Sequence, residues 1–269
     1  MKVAICAIAK YEKNYILEWV EHYKNLMFDY IFIYNNDELN DDSLYEILNE
    51  HIKNNFVEII DIRNQFAKQC HRYTECYNKN SDKFDYMLFV DIDEFLVLDS
   101  LYNNDIHNFL NDKKFKNVDC IRIPWMIIDD NNIIEVKDDN YSITRFKTEG
   151  KMTTACKAIC KTKLNINSIT PHGPLYLKNT VDPNGNICNN GNDTSINPLC
   201  LGKHTIKTNT YLRHYRYKTL EEYIFCKIKR EKNNSNVREK QLTIDDFFEW
   251  NKKTPEKINY LKNIGINYE

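Results

Sequence analysis

Glycine is scarce in this chain, six in 269 residues, and no glycine-rich run occurs anywhere. That excludes the loops in which closely spaced glycines let backbone amides wrap a phosphate, and with them the usual phosphate-loop phosphotransferases. An excess of one charge is lacking too, because 37 Lys and Arg against 39 Asp and Glu leave a net charge of −2. Nothing draws the whole surface to nucleic acid or anionic membrane, so any affinity for phosphate must be local. No apolar stretch approaches the roughly 18 residues of a membrane-spanning helix. Residues 1–9 are mostly apolar but run straight into Lys10-Tyr11-Glu12-Lys13. Such a run is too short for a signal core and reads as the first buried strand. The nine cysteines are odd in number, scattered, and show no Cys-x-x-Cys spacing. Free thiols in a reducing cytosol are therefore expected, with no disulfide framework and no zinc site.

What the chain does have is apolar substance, with 42% hydrophobic and 13% aromatic residues. At this length it can form one α/β domain spanning 1–269, with a first half to residue 117 and a second from 118. Strand 2–8 is followed by a helix over 14–25, in which Ile16, Leu17, Val20 and Tyr23 recur at helical spacing. A strand over 30–34 comes next, then a helix from Leu44 to Lys53, a strand over 56–60, and a helix carrying Gln65, Lys68, Gln69, Arg72 and Tyr73. Strand and helix in strict alternation predict a doubly wound sheet. Beyond residue 118 the texture becomes strands and polar turns: 118–125 and 141–146 read as strands, 184–197 as a long Asn-rich loop, and Leu220–Lys232 as a basic helix.

The most informative segment is Tyr86-Met87-Leu88-Phe89-Val90-Asp91-Ile92-Asp93-Glu94-Phe95-Leu96, an apolar run broken by acids. Read as one strand, it delivers Asp91 and Asp93 to its carboxyl end, where open α/β sheets collect ligands. Residues i and i+2 of extended chain point the same way, so both carboxylates are expected to face one Mn²⁺ or Mg²⁺ carrying a diphosphate. Buried acids without a cation would be costly.

Four segments in order carry a resemblance: Ile5-Cys6-Ala7-Ile8-Ala9-Lys10 with Tyr15-Ile16-Leu17-Glu18-Trp19-Val20-Glu21-His22-Tyr23; Ile33-Tyr34-Asn35-Asn36-Asp37; Val90-Asp91-Ile92-Asp93-Glu94-Phe95; and His214-Tyr215-Arg216 with Lys218-Thr219-Leu220-Glu221-Glu222-Tyr223. Together they resemble the glycosyltransferase 2-like and family 92 transferases of the GT-A type. The resemblance implies a Rossmann-like mixed sheet with acceptor-side strands, loops and terminal helices. It also implies a metal-dependent transfer of a sugar from a nucleoside diphosphate donor, often UDP-galactose, to a glycan or glycolipid acceptor. On that reading Ala7, Ile8, Ala9, Lys10 and Glu12 lie beside base and ribose, and Tyr34, Asn35 and Asp37 offer an aromatic face and an acid to the base. Gln69, Arg72, Asp91, Ile92, Asp93, Arg216 and Lys218 face the rest of the donor, and Arg213 joins the cations that would neutralise the leaving diphosphate.

His214 is the expected third metal ligand beside Asp91 and Asp93, with His172 and His204 as competing positions. An inverting transfer needs a carboxylate to take the acceptor's proton, and Asp129 or Asp130 is expected to supply it, with Glu149 as the fallback. Relatives have a Phe-Gly pair after the Trp, where this chain has Met126-Ile127. Two other classes stay open, a metal-dependent nucleotidyltransferase and a noncatalytic sugar- or nucleotide-binding domain. A cytoplasmic location is expected, with Lys227, Lys229, Arg230 and Lys232 as a peripheral contact for the inner face of a membrane. Lipopolysaccharide, lipooligosaccharide, capsule and protein glycans all fit as acceptors.

Overall fold

Along the first strand, β1 (Val3–Ala9), successive side chains enter different cores: Val3, Ile5, Ala7 and Ala9 join one apolar cluster, and Ala4 and Cys6 another. A strand that is apolar at every position is what a sheet covered on both faces requires. The computed structural model describes residues 1–65, 69–137, 141–147, 149–174, 177, 179–188, 207–228 and 242–268, with Glu149 by its backbone only.

The first half alternates as the sequence predicts. After β1 come α1 (Ile16–Asn25), β2 (Tyr30–Asn35), α2 (Ser43–Ile47), α3 (Asn49–Lys53), β3 (Val57–Asp61), α4 (Gln69–Asn80) and β4 (Tyr86–Phe89). Trp19, Val20 and Tyr23 of α1 bury against one face of the sheet, while Tyr73, Cys76 and Tyr77 of α4 bury against the other. Winding is therefore double. Then follow β5 (Glu94–Val97), α5 (Ile106–Leu110), β6 (Cys120–Ile128), β7 (Glu149–Lys161), β8 (Ile169–Thr170), β9 (Gly173–Pro174), β10 (Thr180–Val181), β11 (Tyr211–His214), α6 (Leu220–Tyr223), α7 (Ile244–Phe248) and α8 (Pro255–Asn263). The large sheet runs β3-β2-β1-β4-β7-β6-β11-β5, with β10 beside β6, so strands from both halves of the chain share it. β1 to β4 are parallel, β7 is antiparallel to both neighbours, and β5 runs antiparallel to β11.

The acid-bearing segment shapes this sheet. Only residues 90–93 join β4 to β5, yet the two strands stand four places apart in the order. Four strand spacings in a flat sheet span about 19 Å, whereas five chain steps reach roughly 17 Å when fully stretched. These five also contain a turn, closed by the Glu94 amide donating to the Asp91 carbonyl at 3.1 Å. The sheet must curl to bring its β5 edge back over the end of β4.

Small residues appear where backbones close in. At Gly150 a Cβ would stand 1.8 Å from the Ile127 carbonyl oxygen, and Gly173, at φ +112°, meets Ala158 in the same way. Pro124 sits inside β6 at a register shift, where no ladder hydrogen bond is demanded of it.

Several elements differ from the sequence reading. The run from Tyr86 to Leu96 is two strands rather than one. The helix over 44–53 is split at Leu48, and 141–146 holds a single 3₁₀ turn, Ile143–Arg145, in place of a strand. There the Glu18 carboxylate from α1 accepts the Ile143 amide at 2.8 Å, a tertiary bond that outbids the β-pattern. The basic helix is a turn of α6 followed by a π-helical turn, Ile224–Ile228. Most of the Asn-rich loop, together with His204, Lys229, Arg230 and Lys232, lies outside the described residues. No described helix is long and apolar enough to cross a membrane, and the described cysteines are free thiols.

The ring of His22 on α1 donates from Nε2 to the Leu96 carbonyl at 2.8 Å and packs edge-on against Tyr23 and Phe95. Burial pulls its pKa from 6.5 to about 4, opposed by that hydrogen bond and helped by Arg213. The unfolded chain therefore binds this proton below pH 6.5 and the folded protein only near pH 4, so stability rises with pH across that window, by about 3 kcal/mol in total. Urea melts of His22→Gln at pH 4.5 and 7 are expected to differ by less than those of the unaltered protein. An equal difference would assign the acid sensitivity elsewhere.

Candidate functional site

Asp91 and Asp93 leave the strand before they can share a face. In the turn after β4 the Asp91 amide donates to Glu94 Oε2 at 2.9 Å, and the Tyr215 amide donates to the Asp93 carbonyl at 2.8 Å. The two carboxylates then find separate partners. Asp91 accepts Gln69 Nε2 on Oδ1 at 2.6 Å and Lys157 Nζ on Oδ2 at 2.7 Å. Asp93 accepts Lys227 Nζ on Oδ2 at 2.9 Å, with His214 Nε2 3.5 Å from its Oδ1.

Lys157 comes from β7, is 1% exposed, and also stands 3.6 Å from Glu94 Oε2. Burial lowers its pKa, but Asp91 and Glu94 outweigh that and leave it raised. Desolvation raises the Asp91 carboxyl, yet Lys157 and His214 bring it below the ordinary range. For Asp93 burial is likewise overcome, by Lys227 and then His214, and the group lies well below its usual value. Glu94 goes the other way: burial, reinforced by the two aspartates and only partly opposed by Lys157, pushes it well up. Burial lowers the pKa of His214, against the pull of Asp93.

Of these groups Gln69, Asp91, Asp93, His214 and Lys227 open onto a cavity of about 340 Å³, lined also by Ile8, Lys10, Glu12, Asn36, Ile92, Trp125, Arg216 and Leu242. Its rim is held under strain. Tyr11 and Lys218 adopt φ of 60° and 52°, a left-handed conformation that non-glycine residues favour little. Asp37 accepts the Tyr11 amide at 2.6 Å, and Glu12 accepts Lys218 Nζ at 3.0 Å. Lys218 also lies 4.2 Å above the ring of Tyr15. The hydroxyl of Tyr15 donates to Glu222 and accepts from Arg145, tying the rim to α6.

The donor set suits a divalent cation. Among the described residues Glu94 Oε1 and His214 Nδ1 are buried with no hydrogen-bond partner, and they stand 3.9 Å apart. Asp93, Glu94 and His214 each present a donor atom within 4.8 Å of the others. Carboxylate oxygens with one imidazole suit Mn²⁺ or Mg²⁺, whose binding would satisfy both orphaned atoms.

Of the sequence candidates, Ile8, Lys10, Glu12, Gln69, Asp91, Ile92, Asp93, His214 and Arg216 line this cavity. Ala7 and Ala9 point the other way into the core, as the period of a strand dictates. Tyr34 is 1% exposed within the second apolar cluster, so its ring offers no face to a base. Asn35 turns inward to accept the Asp37 amide at 3.0 Å, and the neighbouring Asn36 lines the cavity. Arg72 pairs with Glu75 at 2.9 Å, away from the lining, and Lys218 acts behind it through Glu12. His172 bonds the Cys156 carbonyl through Nδ1 at 2.9 Å and packs on Trp125.

Two of the acids expected to serve as base, Asp130 and Asp129, are held by other partners. Asp130 forms a 2.5 Å ion pair with Lys257, the two side chains being 2% and 0% exposed, and also accepts the Asn132 amide. Asp129 folds back to accept Asn131, and neither acid lines the cavity. The side chain of Glu149 lies outside the described residues. At the expected metal set, Asp91 gives both oxygens to protein donors, and Glu94 joins Asp93 and His214 as a group that could hold a cation. Sequence reasoning also missed Trp125, Lys157 and Lys227. Lys157 had a signal, a lone cation inside the apolar run Ala155-Cys156-Lys157-Ala158-Ile159, since a lysine in a buried strand needs a carboxylate.

The mixed α/β sheet, with an imidazole from β11 set against the acids that follow β4, frames an enzyme cavity. The chain belongs to glycosyltransferase family 92, whose profile matches residues 1–261. Among solved structures it is similar to S. aureus TarS, at 12% identity over 60% of this chain and 28% of that one, TM-score 0.37. A shorter TarS, residues 1–349, in complex with UDP-GlcNAc gives the same identity and score over 45% of its length. The mannosyltransferase PcManGT from Pyrobaculum calidifontis, in complex with GDP-Man and Mn²⁺, follows at 8% identity over 45% of this chain and 35% of that one, TM-score 0.35. The chain thus spans under half the length of these proteins, and the family assignment rests on the profile match. No curated protein matches the chain.

Proposed function

We propose that this protein transfers a sugar from a nucleoside diphosphate donor, a UDP-sugar such as UDP-galactose in the first place, to a glycan acceptor with the help of Mn²⁺ or Mg²⁺. The observation that carries the reading is a pair of buried atoms without a hydrogen-bond partner among the described residues, Glu94 Oε1 and His214 Nδ1, next to a cavity whose wall holds Asp93, His214, Lys10, Arg216 and Lys227. When bound, the cation supplies charge neutralisation to the departing diphosphate. The chain's own part is positional. Asp93, Glu94 and His214 hold the cation, and Arg216 and Lys10 face the phosphates. Asp91, fixed by Lys157 and Gln69, offers the edge of its carboxylate, 36% exposed, to donor hydroxyls. The buried indole N–H of Trp125, with no partner among the described residues, is a donor for a sugar oxygen.

Calorimetric titration with UDP and GDP, with and without Mn²⁺, tests this. We expect micromolar binding that needs the metal and is lost to EDTA. Preference for ATP, or binding indifferent to metal, would point instead to a nucleotidyltransferase or a noncatalytic domain.

A further inference from the structure

Lys227 was expected to face a lipid surface, and it does not. It lies in the π-helical turn Ile224–Ile228 and turns inward to Asp93 at 2.9 Å. Single π-helical turns recur at functional sites, where the widened turn re-aims a side chain. The two lysines bound to these carboxylates behave differently. Lys157, 1% exposed and shared between Asp91 and Glu94, is part of the wall. Lys227 is 22% exposed against 4% for Asp93, and its partner's backbone is pinned by the Tyr215 amide. If the pair parts, the lysine moves.

The contact also conflicts with the site's use. A cation on Asp93 would stand beside an ammonium already hydrogen-bonded to the same carboxylate, and like charges at a carboxylate only 4% exposed repel strongly. A diphosphate in the cavity reverses the balance, since it offers the ammonium several acceptor oxygens. A lysine head on four methylenes can exchange one for the other by rotation alone.

We propose that Lys227 is a displaceable counter-ion of the metal site: it occupies Asp93 when no donor is present, and it transfers to the diphosphate when cation and nucleotide enter together. This rests on the reading of Asp93 as a cation ligand. Its consequence is coupling. The metal alone binds weakly, the metal with nucleotide binds well, and Lys227 is the residue through which each favours the other.

Titrating Mn²⁺ alone into the full chain by calorimetry, we expect Lys227→Gln to bind about tenfold more tightly than the unaltered protein. With Mn²⁺ saturating, the same variant is expected to bind UDP about tenfold more weakly. A second measurement needs no variant. Acetylation of Lys227 by an N-hydroxysuccinimide ester, read by peptide mass spectrometry, should rise on adding Mn²⁺ and fall when UDP follows. Mn²⁺ affinity unchanged in Lys227→Gln, or acetylation indifferent to Mn²⁺, overturns the proposal. If Asp93→Asn meanwhile loses Mn²⁺ binding, the cation-site reading survives that result. If unaltered protein and Asp93→Asn bind Mn²⁺ equally or not at all, both fall together.

Discussion

With Asp93 changed to Asn, Mn²⁺-dependent turnover of nucleotide-sugar is expected to fall by about a thousandfold, because one ligand charge is lost at the point where the leaving diphosphate must be neutralised. Asn has the shape of Asp, so the turn between β4 and β5 keeps its backbone bonds, from Glu94 N to Asp91 O and from Tyr215 N to Asp93 O. The melting temperature should move by only a few degrees. Lys227 loses its partner, but at 22% exposure it can reach water. Asp91→Asn serves as the contrast. Its oxygens are committed to Gln69 and Lys157, so Mn²⁺ affinity should change little, while stability falls because Lys157 is left buried beside Glu94 alone. Loss of Mn²⁺ affinity in Asp91→Asn, with retention in Asp93→Asn, would restore the first aspartate as the ligand.

The second large effect is on folding. Lys257 of α8 and Asp130, after β6, form an ion pair with essentially no exposure on either side. Lys257→Met leaves a buried carboxylate uncompensated and is expected to cost about 3–5 kcal/mol, roughly 10 °C in melting temperature. Donor hydrolysis per folded molecule, measured at 15 °C, should stay within about twofold, since the pair clamps the C-terminal helices and lies off the cavity. Asp130→Ala should behave alike. A normal melt with turnover abolished in Asp130→Ala would reinstate it as the base, which is why both readings are needed.

Legibility in the sequence followed the range of the interactions. Apart from the break at Leu48, the strands and helices to residue 89 were readable, because they depend on side-chain period, and β1 shows that period entering two cores. The acidic run was readable as a site but not in its geometry. A continuous strand would have put Asp91 and Asp93 on one face. The turn that separates them is set by the Glu94 carboxylate accepting the Asp91 amide and by β11 arriving from residues 211–214 to pair with β5. Tyr34 failed as a base-stacking platform for a related reason, since whether an aromatic ring is covered depends on α4, which packs over it from residues 69–80.

By itself the sequence determined the alternation of buried strands and helices, the acidic tip of the fourth strand, and membership of the family, all of which are local patterns or their order along the chain. Only the tertiary structure decided which partner each carboxylate meets. Lys157 reaches Asp91 from 66 residues away and Lys227 reaches Asp93 from 134. A buried acid takes its character from whichever charge the folded sheet sets beside it, and the curling of that sheet around a four-residue connection is not written in the neighbours of either aspartate.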